Sequence, residues 1–166
     1  MQEAIKIYTD GAARGNPGRA GWAAVILLPQ KERGGQGRIL EIGGRSDHAT
    51  NNQMELTAPI EALKYIKKIV RQDLTTTRSA VEIFSDSKYV ILGITAWIYN
   101  WQKNNWRNTA KKSVMNRELW EELFELTQGW KPRWNYVKGH NGDKYNDRAD
   151  DIATSFADNE PVELKK

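Results

Sequence analysis

The spacing of apolar residues changes from a strand period to a helix period near Met54, and this change limits the folds open to the chain. Before it, residues 4–10, 22–28 and 38–45 read as three β-strands separated by turn and loop residues. After it, the apolar residues between Leu56 and Val70 recur at helical spacing. The pattern predicts a sheet with helices packed on it.

The rest of the chain continues to alternate between strands and helices. Pro59 falls inside the first helical pattern, where it either kinks the helix or lies near its start. The later segments are predicted as a strand over 81–85, helices over 88–99 and 116–127, a strand over 133–137, a loop over 138–145 and a helix with an apolar stripe from Ala149 to Ala157. The order β-β-β-α-β-α-α-β-α predicts an α/β fold with five strands.

Length and composition restrict the class of protein. The 166 residues fit one domain, which we expect over residues 1–158, followed by a flexible polar C-terminal tail over 159–166. The absence of cysteine excludes disulfides, thiolate zinc sites and a cysteine nucleophile. No apolar stretch is long enough to span a bilayer, and the first residues lack the pattern of an export signal. We therefore expect a cytoplasmic protein without membrane contact or an obligate protein partner, and a monomer from its size.

Positive charge is concentrated in one segment. Between Ser87 and Arg117 there is no Asp or Glu, and the segment carries a local charge of +6, whereas the rest of the chain carries −2. Such an asymmetry is typical of a surface that binds a polyanion, although a solvated basic helix would show it too.

Four acidic residues stand where the local pattern places a carboxylate beside an ordered element: Asp10, Glu55, Asp86 and Asp150. Asp10 and Asp86 follow β-like runs of the same pattern, so we expect both at strand ends, where ligands collect in mixed sheets. Asp150 borders the last apolar stripe, whereas Asp151 faces solvent. Singly, each acid also fits a turn, a cap or a helix surface. Together they would require divalent metal ions, and they predict metal-assisted chemistry on a phosphate ester.

The acids belong to an ordered set of motifs. They are Thr9-Asp10-Gly11 with Gly15-Asn16-Pro17-Gly18, Thr50-Asn51-Asn52-Gln53-Met54-Glu55-Leu56, Ser85-Asp86-Ser87-Lys88-Tyr89-Val90, Val137-Lys138-Gly139-His140, and Asn146-Asp147-Arg148-Ala149-Asp150. In this order they resemble bacterial-type ribonuclease H of the type I class over nearly the whole chain. The tryptophan-rich basic segment from Trp97 to Asn116 is similar to the basic protrusion of that family.

The resemblance implies a ribonuclease H-like fold, with a five-stranded mixed sheet flanked by helices. It also implies an endonuclease that hydrolyses the RNA strand of RNA–DNA hybrids and leaves 5′-phosphate and 3′-hydroxyl ends. Asp10, Glu55, Asp86 and Asp150 match the catalytic carboxylates, which would hold two Mg²⁺ ions about 4 Å apart, with Mn²⁺ as a second candidate. His140 matches a histidine that assists proton transfer or product departure, so His140→Ala should slow the enzyme without abolishing activity.

The resemblance also assigns substrate contacts. Asn16, Asn51 and Lys88 stand where the family touches the hybrid, although the family more often has Gln at the position of Lys88, and Asn52 is either a further contact or a helix cap. Thr50 and Asn116 match residues that hold a DNA phosphate, and Trp97 matches one that packs on deoxyribose. The basic side chains that would add salt-dependent attraction are Lys103, Arg107, Lys111 and Lys112.

Two other functions are compatible with parts of the pattern. A DNA-acting polynucleotidyl transferase of the same fold, such as an integrase or transposase core, shares the carboxylates but usually brings further domains. A non-catalytic module that binds RNA–DNA hybrids would typically have lost one of the acids. A metal-dependent cleavage assay on hybrid, duplex RNA and duplex DNA distinguishes these functions.

Overall fold

A computed structural model describes residues 4–29, 37–72, 80–139 and 142–166, with only the backbone described at 71–72. Its strands are β1 (Ile5–Gly15), β2 (Gly18–Leu28), β3 (Arg38–Ala49), β4 (Val81–Ser85) and β5 (Arg133–Tyr136). They form one sheet in the order β3-β2-β1-β4-β5. The first three strands pair antiparallel, whereas β4 lies parallel to both β1 and β5. The predicted five-stranded mixed sheet is confirmed.

The helices lie on both faces of this sheet. They are α1 (Asn51–Gln72), α2 (Lys88–Leu92), which continues through a π-helical turn (Gly93–Trp97) into α3 (Ile98–Lys103), α4 (Arg117–Trp130) and α5 (Lys144–Ala157). The predicted element order is confirmed, although α5 begins inside the segment predicted as a loop. Within the described ranges, none of the helices combines the length and apolar character that a membrane crossing needs.

Two hydrophobic cores fill the spaces on either side of the sheet. Side chains of a strand alternate between its faces, so Ile7 packs with α1 and α4, whereas the next residue, Tyr8, packs with α5. The first core includes the fully buried Trp120 of α4, and the second includes Ile152 of α5. The sheet is therefore held between two helical layers, which fixes the positions of its strand ends.

Two local expectations change when the structure is considered. The first strand was expected to end at Asp10, but β1 continues to Gly15 because it forms a long antiparallel hairpin with β2. Pro59 lies inside α1, and the helix passes through it to Gln72. Proline removes one helical hydrogen bond, and burial of this part of α1 against the sheet compensates for it.

The segment 159–166, expected as a flexible tail, lies along β3 and α5. The Glu41 N–H donates to the Lys165 carbonyl at 2.8 Å, and the Lys165 N–H donates to Glu41 Oε1 at 2.9 Å. Arg148 binds the same carboxylate through both of its oxygens and also donates to the Glu163 carbonyl. These contacts oppose fraying, and the flexibility of the tail stays a prediction.

Candidate active site

Asp10 and Asp86 lie side by side because parallel pairing between their strands stops just before them. The ladder between β1 and β4 ends at the pair Thr9 and Ser85. Asp10 is therefore not at the end of its strand, as expected from the sequence, but at the end of its parallel partner. Both acids therefore lie at the carboxyl end of β4, the edge of a sheet where ligands collect in mixed α/β folds.

Glu55 lies close to Asp10 and Asp86 because α1 packs very closely on β1 at Gly11. A Cβ atom on Gly11 would lie 2.5 Å from the Glu55 backbone nitrogen and 2.6 Å from the Met54 carbonyl carbon, so only glycine fits there. The Gly11 N–H donates to Asp10 Oδ1 at 2.9 Å and to Glu55 Oε1 at 3.2 Å. One backbone N–H thus binds two carboxylates from two different elements.

The resulting cluster combines close carboxylates with burial. One carboxylate oxygen from each of Asp10, Glu55 and Asp86 lies within 4.8 Å of the other two. Asp10 and Glu55 are only 4% and 5% exposed. Burial, with the charges of Asp86 and Asp150, raises the pKa of Asp10 to about 7, against the lowering effect of hydrogen bonds from Glu55 and Gly11. Burial and the neighbouring Asp10 raise the pKa of Glu55 well above its ordinary value.

The fourth predicted acid lies near this cluster on α5. Asp150 is half-buried, and its charge acts on Asp10, whereas the next residue, Asp151, is exposed, as the helical stripe predicts. Within the described residues, Asp150 is not one of the acids grouped within 4.8 Å. The remaining predicted catalytic residue, His140, lies outside the described residues, and its function stays a prediction. Gly139 is described, and a Cβ atom on it would lie 2.9 Å from Asp86 Oδ2, so the backbone at Gly139 packs directly against this acid.

The carboxylates fit a hard divalent cation. Every donor in the cluster is an oxygen, which is the ligand type that Mg²⁺ and Mn²⁺ prefer. Glu55 Oε2 is buried and, in the described part of the chain, has no hydrogen-bond partner. A buried carboxylate oxygen without a partner is costly, and a bound cation would offset that cost.

Comparison with known proteins identifies the family. The RNase H family model matches residues 2–158. A ribonuclease H from Thermosynechococcus vestitus is 42% identical over 159 residues, which cover 96% of this chain and 92% of that relative. The chain belongs to the ribonuclease H family. It is a nuclease by that membership, and the finer type I assignment stays a prediction.

Solved ribonuclease H structures share the fold. LC9-RNase H1, a type 1 RNase H with the type 2 active-site motif, superposes with a TM-score of 0.81 at 24% identity, covering 95% of this chain and 73% of that one. LC11-RNase H1 in complex with RNA/DNA hybrid superposes with a TM-score of 0.65 at 24% identity, covering 93% and 97% of the two chains. Both agree with the mixed sheet described above.

Four residues predicted to touch substrate lie in the β1–β2 turn and at the start of α1, the helix that carries Glu55: Asn16, Thr50, Asn51 and Asn52. The Asn51 N–H donates to Asn16 Oδ1 at 3.0 Å, which ties the β1–β2 turn to the start of α1. Thr50 caps α1, because its hydroxyl accepts from the Gln53 N–H and its own N–H donates to Gln53 Oε1. Asn52 is therefore an exposed side chain in the first turn and not the cap.

The remaining predicted contacts lie between the start of α2 and the start of α4. Trp97 is 39% exposed and packs edge-on to Tyr89. The Lys88 ammonium lies 5.4 Å from the centre of the Tyr136 ring, an attractive geometry for a cation. The other members are Lys103, Arg107, Lys111 and Lys112, which are exposed, and Asn116, which is half-buried.

Three residues that support the site were not singled out from the sequence. Gly11 was named only as a member of the motif Thr9-Asp10-Gly11, and the structure shows that its lack of a side chain permits close packing of α1 on β1. Asp143 caps α5 through hydrogen bonds from the Tyr145 and Asn146 N–H groups. Tyr89 accepts two side-chain hydrogen bonds. The Asp143 cap had a local signal, an Asp just before a helical pattern, whereas the other two depend on contacts distant in sequence.

Proposed function

We propose that the carboxylate cluster is the catalytic centre of an endonuclease that hydrolyses the RNA strand of RNA–DNA hybrids and leaves 5′-phosphate and 3′-hydroxyl ends. The observation that carries this proposal is the convergence of Asp10, Glu55 and Asp86 within 4.8 Å in a chain of the ribonuclease H family. The hybrid bound to LC11-RNase H1, which has the same fold, supports the choice of substrate.

Asp10, Glu55, Asp86 and Asp150 would hold the divalent cations, with Mg²⁺ as the expected ion and Mn²⁺ as a substitute. When bound, the cations neutralise the cluster, lower the pKa of a bound water and stabilise charge on the scissile phosphate and the departing 3′-oxygen. Two ions need more oxygen ligands than one, which is why we include Asp150 although it lies outside the closest group.

The protein's own residues prepare this site in two ways. The Gly11 N–H fixes the orientation of Asp10 and Glu55, so their oxygens are positioned before substrate arrives. Because burial favours the protonated carboxyls, the free cluster retains protons near neutral pH and releases them when a cation binds. A cluster without cations would repel a phosphate once it ionised, so cation and substrate binding should be coupled.

Recognition of the two strands is assigned to different residues. Asn16, Asn51 and Asn52 are exposed, and their amides can both donate to and accept from the 2′-hydroxyls that distinguish RNA from DNA. Thr50, Trp97 and Asn116 are assigned to the DNA strand. The exposed basic side chains of Lys103, Arg107, Lys111 and Lys112 add sequence-independent attraction to phosphates.

A cleavage assay tests the proposal directly. The protein is incubated with labelled hybrid, duplex RNA and duplex DNA, with and without Mg²⁺, and product ends are analysed. We expect cleavage of the hybrid alone, only with the cation, and with 5′-phosphate products. Asp10→Asn and Asp150→Asn should remove nearly all activity, whereas Asp151→Asn, the exposed neighbour, serves as the matched control and should retain it. Hybrid binding without cleavage by the wild type would instead support a non-catalytic module.

A further inference from the structure

Tyr89 connects the region of the acids to the region assigned to the DNA strand. It lies in the first turn of α2, three residues after Asp86. Its hydroxyl oxygen accepts hydrogen bonds from Asn116 Nδ2 at 3.2 Å and from Trp120 Nε1 at 3.3 Å. Two accepted bonds use both acceptor positions of the hydroxyl, so its orientation is defined.

The Tyr89 side chain is held by buried neighbours. Trp120 is fully buried, and its ring centre lies 5.2 Å from that of Tyr89. Trp120 is itself fixed against the π-helical turn, because a Cβ atom on Gly93 would lie 2.0 Å from Trp120 Cη2. The other side of Tyr89 faces the exposed Trp97, with ring centres 6.4 Å apart in an edge-on arrangement. Tyr89 therefore packs on one tryptophan of the core and on one tryptophan of the surface, which restricts its motion.

Asn116 has a left-handed backbone conformation, and its side chain contacts Tyr89 and not its own helix. It precedes α4 with φ 62° and ψ 28°, in the left-handed region, and its side chain makes no capping hydrogen bond to the helix. Asparagine at this position usually caps the helix from an extended backbone. Here the amide is directed to Tyr89 instead. The Asn116 side chain therefore stabilises the contact with Tyr89 and not the start of its own helix.

The start of α2 is also fixed relative to the acids. The Ser87 hydroxyl accepts from the Val90 N–H at 3.1 Å, and the Ser87 N–H donates to the Ser85 hydroxyl at 3.0 Å. These bonds join the end of β4 to the first turn of α2 around Asp86. Motion of Tyr89 relative to Asp86 is therefore restricted.

We propose that Tyr89 is a positioning residue whose hydroxyl fixes the Asn116 amide, and so sets the distance between the contact to the DNA strand and the carboxylates that act on the RNA strand. This inference rests on the proposed function, because it takes the DNA phosphate as the ligand of Asn116. Tyr89 itself need not touch the substrate. The bond to the Tyr89 hydroxyl uses one hydrogen of the Asn116 amide and leaves the other to donate to the phosphate.

Tyr89→Phe removes the hydroxyl and keeps the ring. Without its partner, the Asn116 amide has more than one orientation, and the hybrid binds less tightly while the cleavage step is unchanged. We expect KM, and the dissociation constant of a labelled hybrid measured in parallel, to rise by about 3- to 10-fold, the effect of one hydrogen bond, with kcat unchanged. Because the lost contact is neutral, the salt dependence of binding should stay the same.

A double-mutant cycle separates this role from a general loss of structure. Asn116→Ala should raise KM at least as much, and adding Tyr89→Phe to it should cause little further change, because the hydroxyl acts through the amide. Tyr65→Phe, which removes a hydroxyl from a half-buried tyrosine of α1, is the matched control and should leave KM unchanged. Thermal unfolding of each variant confirms that the assays use folded protein.

The possible outcomes have distinct meanings. An unchanged KM in Tyr89→Phe, a loss confined to kcat, or an equal loss in the Asn116→Ala background would overturn the positioning role while leaving hybrid cleavage intact. If the wild type binds the hybrid without cutting it, the proposed function fails, and the dissociation constants still test Tyr89. If it neither binds nor cuts the hybrid, both proposals fail.

Discussion

Gly11 and Glu55 are in backbone contact across the boundary between the sheet and α1. The space for a Cβ atom on Gly11 is filled by the Glu55 nitrogen at 2.5 Å, and the Gly11 N–H donates to Glu55 Oε1 at 3.2 Å. Gly11, the residue next to Asp10, therefore leaves room for Glu55 and also orients its carboxylate. The geometry of the site depends on a position without a side chain.

Gly11→Ala should damage both stability and activity. The new methyl group must displace α1, which we expect to cost about 1–3 kcal/mol of unfolding free energy. The accompanying shift of Glu55 should lower kcat/KM by about 100-fold or more. Urea unfolding and steady-state kinetics measure the two effects.

Gly129→Ala is the matched control, since nothing lies within 4 Å of its Cβ position near the end of α4, and it should stabilise the protein by up to about 1 kcal/mol. Equal stability and rate for Gly11→Ala and wild type would contradict the packing argument.

The raised carboxyl pKa values predict how stability depends on pH. The pKa of Asp10 rises from an ordinary value near 4 to about 7 on folding, so between these values the native state binds more protons than the unfolded state. Stability of the metal-free protein should therefore fall as pH rises through this window. Mg²⁺ should stabilise the protein more at pH 8 than at pH 5.5, because it competes with protons for the same oxygens. Thermal unfolding across pH, with EDTA or Mg²⁺, checks both trends.

The Asp10→Asn variant should show weaker trends, and a wild type that becomes more stable from pH 5 to pH 7 without metal would disagree with the buried cluster.

The basic loop between α3 and α4 should contribute to the affinity for the hybrid more than to the rate of cleavage. Replacing Lys111 and Lys112 with Gln removes two exposed charges, so KM for the hybrid should rise with little change in kcat. The slope of log affinity against log salt should become shallower by about 1–2. Gln at Lys67 and Lys68, an adjacent exposed pair on α1, is the matched control and should alter neither quantity. An effect on kcat alone would exclude a binding role for the loop.

The C-terminal segment should contribute measurably to stability. Glu41 is nearly fully buried, and a hydrogen bond from Arg148 lowers the pKa of its carboxyl. Deletion of residues 162–166 removes the Lys165 contacts to this carboxylate and should lower the unfolding free energy by about 1–3 kcal/mol. Deletion of Lys166 alone is the control. If both deletions unfold at the same urea concentration as wild type, the tail is frayed, as the polar sequence predicts.

Periodicity was sufficient to predict the sheet and the helix order, and the motifs predicted the grouping of Asp10, Glu55 and Asp86. Residues 81–85 match β4, and the wheel argument correctly distinguishes Asp150 from the exposed Asp151. These features are local, because each follows from the alternation of apolar and polar residues along one element.

The features that no local pattern explains are those set by distant partners. The end of β1 depends on its hairpin with β2, so alternation up to Asp10 underestimated its length. The closeness of Glu55 depends on the absence of a side chain at Gly11, 44 residues earlier. Likewise, Tyr89 and Asn116 belong to different elements, and no local pattern connects them.

Anomalous scattering from Mn²⁺ tests the central claim most directly. Crystals of the wild type grown with Mn²⁺ are measured above the manganese absorption edge, and the anomalous map locates every bound ion without reference to a mechanism. We expect a peak within bonding distance of the carboxylate oxygens of Asp10 and of Glu55 or Asp86. A map with Mn²⁺ bound only elsewhere, or carboxylates that point away from one another, would contradict the metal-dependent nuclease site.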